Sequence, residues 1–278
     1  MGMKLGLDNC QILLSRLGNP HLDFPSIHVA GSNGKGSLCV QLSSAATASG
    51  FTTGLFTSPH LVTVEERIRI DGRPISSDDF DRALSRVREA SEMEPECSPT
   101  YFESTFLSAM LVFSEAGVQR GIIETGMGGR LDATRLVDAD LCFLTSVSME
   151  HSQFLGETLR EIAFEKASIH RPGVPIIVLE HQDSGVREVM KESRALISLG
   201  GPFRPRVHGR AMHLWSRKQQ KFSTGRLVLQ IASGQDALRA LAVIGLRALP
   251  PDSALLTMLR VSPQTSLKST NRAYYCSE

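Results

Sequence analysis

The chain has 278 residues, a formal net charge of +1, and ordinary shares of hydrophobic (41%) and charged (21%) residues. This composition predicts a globular protein of one large or two smaller domains and gives no reason to expect nucleic acid or a membrane surface as a partner. The five cysteines lack the CxxC spacing of zinc sites, and no apolar run reaches membrane-spanning length. We expect a cytoplasmic, monomeric protein.

The first predicted elements flank a glycine-rich loop. Apolar spacing predicts a helix over residues 4–18, and a strand over 27–30 precedes a helix over 37–49. Between strand and helix stands HVAGSNGKGS, in which Gly31, Gly34 and Gly36 would let backbone N–H groups converge on an anion. Lys35 would reach the outer phosphates of a nucleotide, and Ser37 would offer a hydroxyl to Mg²⁺. The spacing departs from the general phosphate-loop pattern, and a turn that needs no ligand is the alternative.

The following elements alternate between strands and helices. Strands are predicted over residues 51–56, 121–124, 141–147 and 175–180, and residues 66–70 alternate between charged and apolar side chains. One helix is predicted to begin at Ser76 or Ser77, and further helices are predicted over residues 100–115, 157–170 and 184–194. This order predicts an α/β domain with a mostly parallel sheet whose ligands lie at the carboxyl ends of the strands. Beyond residue 200 we expect a small β-rich segment near 205–231, a helix over 235–249 and a disordered tail over 250–278.

Several polar residues that follow predicted strands are candidates for chemistry. Glu124 could coordinate Mg²⁺ opposite the glycine-rich loop, or it could be a helix-capping or turn residue. Taken alone, Ser58 could simply stabilise a turn, and His151 could be a structural or solvated histidine. Lys166 could lie on the solvated face of a helix. One loop suited to binding phosphate and one acidic loop follow neighbouring strands. Together they favour the interpretation of Glu124 as a ligand of Mg²⁺.

Six strings together resemble a known family. HVAGSNGKGS, LFTSPHL, ERIRIDGRPIS, TYFE, ETGMGGRLDAT and EHSQFLGETLREIAFEKASIHRPGVP stand in the order found in folylpolyglutamate synthase and dihydrofolate synthase, which belong to the Mur-ligase group. The resemblance runs from about residue 3 to about residue 180 and is weaker after that. It implies the central ATPase fold of that group, with a P-loop-type sheet flanked by helices.

The resemblance also implies an activity. Family members use ATP and Mg²⁺ to join a folate or dihydropteroate carboxylate to L-glutamate through an acyl phosphate. By motif, the residues that hold ATP are Gly31, Asn33, Gly34, Lys35, Gly36 and Ser37. The ligands of one metal ion would be Ser37, Ser58 and Glu124, and His151 would bind a second. The residues that serve catalysis would be Lys35, Lys166 and His151. Lys166 would be modified to a carbamate. The residues near the pterin would be Thr100, Phe102, Asp132 and Ala133.

The chain departs from the family in two ways. Glu150 stands where the family has an aspartate before its metal-binding histidine. The Asp-Gly-Ala-His-Asn-Pro motif of the family's second domain does not occur in this sequence. We therefore expect residues 1–249 to form a Mur-ligase-like ATP-binding domain and the C-terminal glutamate-ligase domain to be absent. An active ligase and a truncated, non-catalytic nucleotide- or folate-binding module remain the alternatives, and a cell-wall Mur ligase is disfavoured by the folate-type TYFE and GGRLDAT strings.

Overall fold

The computed structural model describes residues 6–179, 181, 183–192 and 197–199. Its strands are β1 (Ser26–Ala30), β2 (Thr53–Phe56), β3 (Ile68–Ile70), β4 (Arg73–Pro74), β5 (Arg120–Glu124), β6 (Ala139–Leu144), β7 (Ile176–Leu179) and β8 (Ile197–Leu199). Its helices are α1 (Asp8–Arg16), α2 (Lys35–Ala48), α3 (Ser77–Glu92), α4 (Tyr101–Glu115), α5 (Ser152–Leu155), α6 (Leu159–Ala167) and α7 (Ser184–Glu192). Short 3₁₀ helices cover Pro20–Leu22, Val64–Arg67 and Ala133–Leu136.

All eight strands form one sheet in the order β4-β3-β2-β5-β1-β6-β7-β8. Strands β2, β5, β1, β6, β7 and β8 pair in parallel, and β3 and β4 add an antiparallel edge. The α/β class and the mostly parallel sheet predicted from the sequence are confirmed. All five residues of β1 are buried, as expected for a strand in the middle of a parallel sheet.

Helix α4 and an aromatic cluster form much of the core beneath β2 and β5. The ring of Phe56 makes edge-on contacts with Phe102 and Phe106, at centroid distances of 5.8 and 5.9 Å. Phe113 lies so close to the sheet that a Cβ on Gly54 would come within 2.7 Å of its ring. Glycine at position 54 therefore lets α4 pack directly on β2.

The observed elements differ from the prediction mainly at their ends. Helix α2 begins at Lys35, two residues earlier than predicted, because Gly34 adopts a left-handed conformation (φ +81°) at the N-cap. The predicted helix over 157–170 is shorter, and a separate short helix, α5, precedes it, with Gly156 (φ +117°) between them. Strand β6 ends at Leu144 instead of residue 147, since the next residues bond to the glycine-rich loop.

The predicted segments near 205–231, 235–249 and 250–278 lie outside the described residues. Over the part of the chain that the structure describes, none of the helices combines the length and the apolar character needed to cross a bilayer.

Candidate functional site

The glycine-rich loop connects β1 to α2 at the carboxyl edge of the sheet. Gly31 has a φ of +142°, and a Cβ there would lie 1.9 Å from Thr145 Oγ1. Gly31 is therefore required both by its backbone conformation and by the close approach of the residue after β6. The loop ends at Gly34, and α2 starts with Lys35, so the amides of the first helical turn lie at this edge of the sheet.

Residues that follow β6 hold the loop in shape. Thr145 Oγ1 donates to the carbonyl of Asn33 at 2.8 Å, and the amide of Asn33 donates to Ser146 Oγ at 2.9 Å. The amide of Ser148 in turn donates to Ser32 Oγ at 2.9 Å. The main-chain groups of Asn33 are thus fixed by hydrogen bonds within the chain. The role of Thr145, Ser146 and Ser148 was not predicted from the sequence, where the available signal was a run of hydroxyl side chains directly after a buried strand.

The two polar side chains predicted to bind phosphate and metal lie at the start of α2. Lys35 is partly exposed, and its Nζ donates to the carbonyl of Ser32 at 3.2 Å. Ser37 is exposed, two residues further along the same first turn. Both side chains are accessible to a ligand that approaches the helix N-terminus.

Glu124 ends β5, which is hydrogen-bonded to β1, with Glu124 directly opposite Val29. Its side chain is 4% exposed, and Oε2 accepts a hydrogen bond of 3.1 Å from the amide of Ser58. Burial raises the pKa of Glu124 to about 7, although the amides of Ser58 and Gly36 and the charge of Lys35 oppose this shift. The side chain of Glu124 therefore accepts hydrogen bonds from the segments of Ser58 and Gly36 and not from its own turn. This disagrees with the alternative that Glu124 is a helix-capping or turn residue.

The surroundings of Glu124 match the chemistry of a cation site. A buried carboxylate is costly without a positive partner, and in the described residues no Lys, Arg or His nitrogen lies within 4 Å of it. Mg²⁺ prefers such carboxylate and hydroxyl oxygens together with phosphate. The set of Glu124, Ser58 and Ser37 fits this ion.

His151 does not join this set in the structure. It precedes α5 in a left-handed conformation (φ +46°), its side chain is exposed, and its ring makes no hydrogen bond to any described residue. Nor do the described residues contain a cluster of three or more His, Cys, Asp and Glu side chains placed to hold a metal ion. The predicted second metal site therefore depends on a ligand that supplies the other donors.

Lys166 on α6 is buried, so its interpretation as a solvated surface lysine is wrong. Its side chain is 2% exposed, and Nζ donates to Glu150 Oε1 at 2.5 Å and to the carbonyl of Gly31 at 3.1 Å. Burial lowers the pKa of Lys166, while the carboxylate of Glu150 opposes that change. Lys166 thus connects α6 and the loop after β6 to the first residue of the glycine-rich loop.

The four residues predicted near a pterin fall into two groups. Phe102 and Asp132 meet at Gly126, where a Cβ would lie 2.6 Å from the Phe102 ring and 3.1 Å from Asp132 Oδ2. Thr100 caps α4, its hydroxyl accepting from the amide of Glu103 at 3.2 Å. Ala133 is 4% exposed within the hydrophobic core. The structure therefore brings Phe102 and Asp132 together and gives Thr100 and Ala133 structural positions.

Comparisons with known proteins agree with this architecture. No family model matches the sequence. The chain is 38% identical over 196 residues to the dihydrofolate synthase/folylpolyglutamate synthase of Bacillus subtilis, covering 69% of this chain and 46% of the relative. Escherichia coli FolC, solved in complex with DHPP and ADP, is 31% identical with a TM-score of 0.71, covering 93% of this chain and 62% of that chain.

A second solved structure carries a metal. The Yersinia pestis bifunctional folylpolyglutamate synthase/dihydrofolate synthase, complexed with AMPPNP and a Mn ion, is 29% identical with a TM-score of 0.69, and the match covers 94% of this chain and 63% of that chain. The chain spans about half the length of the curated relative from Bacillus subtilis.

Proposed function

This chain is a relative of the folylpolyglutamate and dihydrofolate synthases, and we propose that it serves an ATP-dependent ligase that joins a folate or dihydropteroate carboxylate to L-glutamate. One observation carries the proposal: a glycine-rich loop at a helix N-terminus lies beside a buried carboxylate that makes no ion pair with the described residues. That pair suits the phosphates of ATP and the ion that accompanies them.

The loop would bind the nucleotide through its backbone. The six residues proposed for this role are Gly31, Asn33, Gly34, Lys35, Gly36 and Ser37. Lys35 would place its ammonium against the outer phosphates, where negative charge is greatest during transfer. Its contact with the Ser32 carbonyl keeps the side chain folded over the loop before the nucleotide arrives.

The metal-binding residues proposed are Ser37, Ser58 and Glu124, with His151 at a second ion. Mg²⁺ bound there would neutralise charge on the phosphates. Glu124 must be ionised for this role, and the amides of Ser58 and Gly36 favour its ionised form. The carbamate implied for Lys166 stays a prediction; as an ammonium, Lys166 fixes Gly31 and Glu150 relative to each other.

The substrate carboxylate would be activated by phosphorylation. The γ-phosphate passes to a carboxylate oxygen, giving an acyl phosphate and ADP, and the amine of glutamate then attacks the acyl carbon and releases phosphate. The chain's part is to align the reactants and stabilise charge, which is the main source of catalysis in phosphoryl transfer. Phe102 and Asp132 would contact the heterocycle of the substrate, with Thr100 and Ala133 shaping the segments around them.

We further propose that residues 1–249 form the ATP-binding domain. A monomeric state and a cytoplasmic location stay predictions.

The test is a ligation assay on the full chain with Mg-ATP, L-glutamate and either dihydropteroate or tetrahydrofolate, with products identified by mass spectrometry. The proposal predicts a product one glutamate heavier that requires ATP and disappears in Lys35→Ala. Binding of ATP and dihydropteroate without product would instead identify a non-catalytic binding module. A wild-type chain that binds neither ligand would contradict the proposal.

A further inference from the structure

A chain of polar side chains in hydrogen-bond contact runs from Asp132 to Arg171 behind the glycine-rich segment that follows β5. Asp132 Oδ1 accepts from Thr134 Oγ1 at 2.5 Å, and Thr134 Oγ1 lies 2.9 Å from His28 Nε2. On the far side of the imidazole, Arg171 Nη1 lies 3.5 Å from His28 Nδ1. His28 belongs to β1 and is fully buried, and the Thr134 hydroxyl links it to Asp132.

The direction of each hydrogen bond follows from the number of protons available. Asp132 accepts on both oxygens, from the Thr134 amide and hydroxyl on Oδ1 and from the Met127 amide on Oδ2. The Thr134 hydroxyl has one proton, which it donates to Asp132, so it accepts from His28. His28 therefore carries its proton on Nε2, and Nδ1 accepts from Arg171.

Arg171 fixes the outer end of the chain. Its guanidinium donates to the carbonyls of Arg135, Val137 and Ile169 at 2.6, 2.9 and 2.9 Å. Arg135 lies within the 3₁₀ helix that carries Thr134, Val137 directly follows that helix, and Ile169 lies two residues beyond the end of α6. Burial, with the nearby charges of Arg171 and Arg135, lowers the pKa of His28 well below its usual value, so the imidazole stays neutral.

The arrangement defines what Asp132 can recognise. Each of the hydrogen bonds that the described residues make to its carboxylate is donated to it, so Asp132 acts as an acceptor. Oδ2 is the oxygen near Gly126 and the Phe102 ring, and Gly126 is partly exposed. A ligand that stacks on Phe102 and presents an N–H or NH₂ edge would match this acceptor.

We propose that His28 is a positioning residue for substrate recognition, acting through Thr134 to hold Asp132 as an oriented acceptor for the N–H edge of the heterocycle. This inference rests on the proposed function, because it takes the heterocycle of a folate-type substrate to bind at Phe102 and Asp132. His28 itself does not touch the substrate. Its effect is on the affinity for the heterocycle and not on the nucleotide.

A matched pair of substitutions at Thr134 tests the proposal. Thr134→Val removes the hydroxyl and keeps the shape and the backbone N–H, while Thr134→Ser keeps the hydroxyl. Dihydropteroate and Mg-ATP are titrated separately into each full-length protein. We expect Thr134→Val to weaken dihydropteroate about tenfold, the loss of roughly one hydrogen bond, with Mg-ATP affinity unchanged and Thr134→Ser close to wild type. Equal dihydropteroate affinity in the Val variant would overturn the inference.

A second pair tests His28 directly. His28→Gln places an amide donor near the position of Nε2, whereas His28→Leu removes it. The inference predicts that Gln restores most of the dihydropteroate affinity that Leu loses, and that ¹⁵N NMR of the wild-type protein shows the Nε2–H tautomer. An Nδ1–H tautomer, or equal binding by Gln and Leu, would overturn it. If the proposed function itself is wrong, the wild-type protein will bind no dihydropteroate. That outcome is distinct from wild-type binding that the variants leave unchanged.

Discussion

At the scale of single residues, the site depends on ionisable side chains held out of water. Glu124 is 4% exposed, and its nearest stabilising groups are backbone amides, with no described cationic side chain in contact. A carboxylate in such surroundings binds a cation more strongly than an exposed one, because screening by water is weak. Metal binding and nucleotide binding should therefore be coupled through this residue.

We predict that Glu124→Gln lowers the affinity for ATP by about tenfold or more in the presence of Mg²⁺ and changes it little when the metal is chelated. The amide side chain keeps the shape and can still accept from Ser58, so the loss reports on the charge. Isothermal titration with and without EDTA measures both affinities. Glu96→Gln, on the exposed segment between α3 and α4, is the matched control. Equal losses with and without metal would contradict the role given to Glu124.

His28 should make the stability of the protein sensitive to acid. Its pKa in the folded state lies well below 6.5, since it is buried beside Arg171 and Arg135, whereas in the unfolded chain it takes up a proton near 6.5. Below that pH the unfolded state binds the extra proton, so stability falls as the pH falls. Between pH 7.5 and 5.5 this single group costs at most about 1.4 kcal/mol.

Urea unfolding of wild type and His28→Gln at these two pH values measures the effect. We expect the free energy of unfolding to drop further in the wild type than in the variant, because glutamine does not titrate. Parallel drops in the two proteins would contradict this, because they would show that His28 has the same pKa in the folded and unfolded states.

Candidate site residues could be named from the sequence, but their burial could not be predicted. Lys166 lies in a helix where spacing alone favours a solvated face, and only the folded chain shows that Gly31 and Glu150 surround its ammonium. The support from Thr145 and Ser146 was missed for the same reason. Contacts between residues more than a hundred positions apart depend on strand order, which local patterns do not encode.

At the scale of secondary structure, helix termini account for residues that motif matching would assign to ligand binding. Thr100 and Glu103 form a reciprocal capping box at α4, with the Thr100 amide donating to the Glu103 carboxylate at 2.6 Å. The core packs on α4, where most residues from Glu103 to Phe113 are buried. The cap therefore supports the helix that presents Phe102.

We predict that Thr100→Ala lowers the free energy of unfolding by about 1 kcal/mol, since the alanine side chain leaves the Glu103 amide without its acceptor. Thr100→Ser, which retains the hydroxyl, should stay within a few tenths of a kcal/mol of wild type. Urea denaturation of the three proteins provides the values. Unchanged stability in the alanine variant, with loss of dihydropteroate binding, would make Thr100 a ligand contact instead of a cap.

The order of elements followed from the sequence because apolar runs and glycine stops are local signals. Element ends were harder to predict. Helix α2 begins at Lys35 because Gly34, its N-cap residue, adopts a left-handed conformation. Helix α5 is separated from α6 by Gly156. Both boundaries depend on a glycine with positive φ. Glycine permits this conformation but does not require it, so the sequence alone does not predict where it occurs.

At the scale of the whole molecule, strand order assembles the site. Strands β5, β1 and β6 are consecutive in the sheet, so their carboxyl ends bring Glu124, the glycine-rich loop and the residues after β6 to one edge. The parallel register explains why residues from distant strings of the sequence meet.

We infer that this edge of the sheet binds Mg-ATP through the loop from Gly31 to Ser37. The most direct test is calorimetric titration of Mg-ATP into the full chain, into Lys35→Ala and into Lys191→Ala, an exposed lysine of α7. We predict saturable one-site binding for wild type and Lys191→Ala, and a loss of affinity of about a hundredfold for Lys35→Ala with an unchanged melting temperature. Equal affinity in Lys35→Ala and wild type, or no binding by the wild-type chain, would contradict the account.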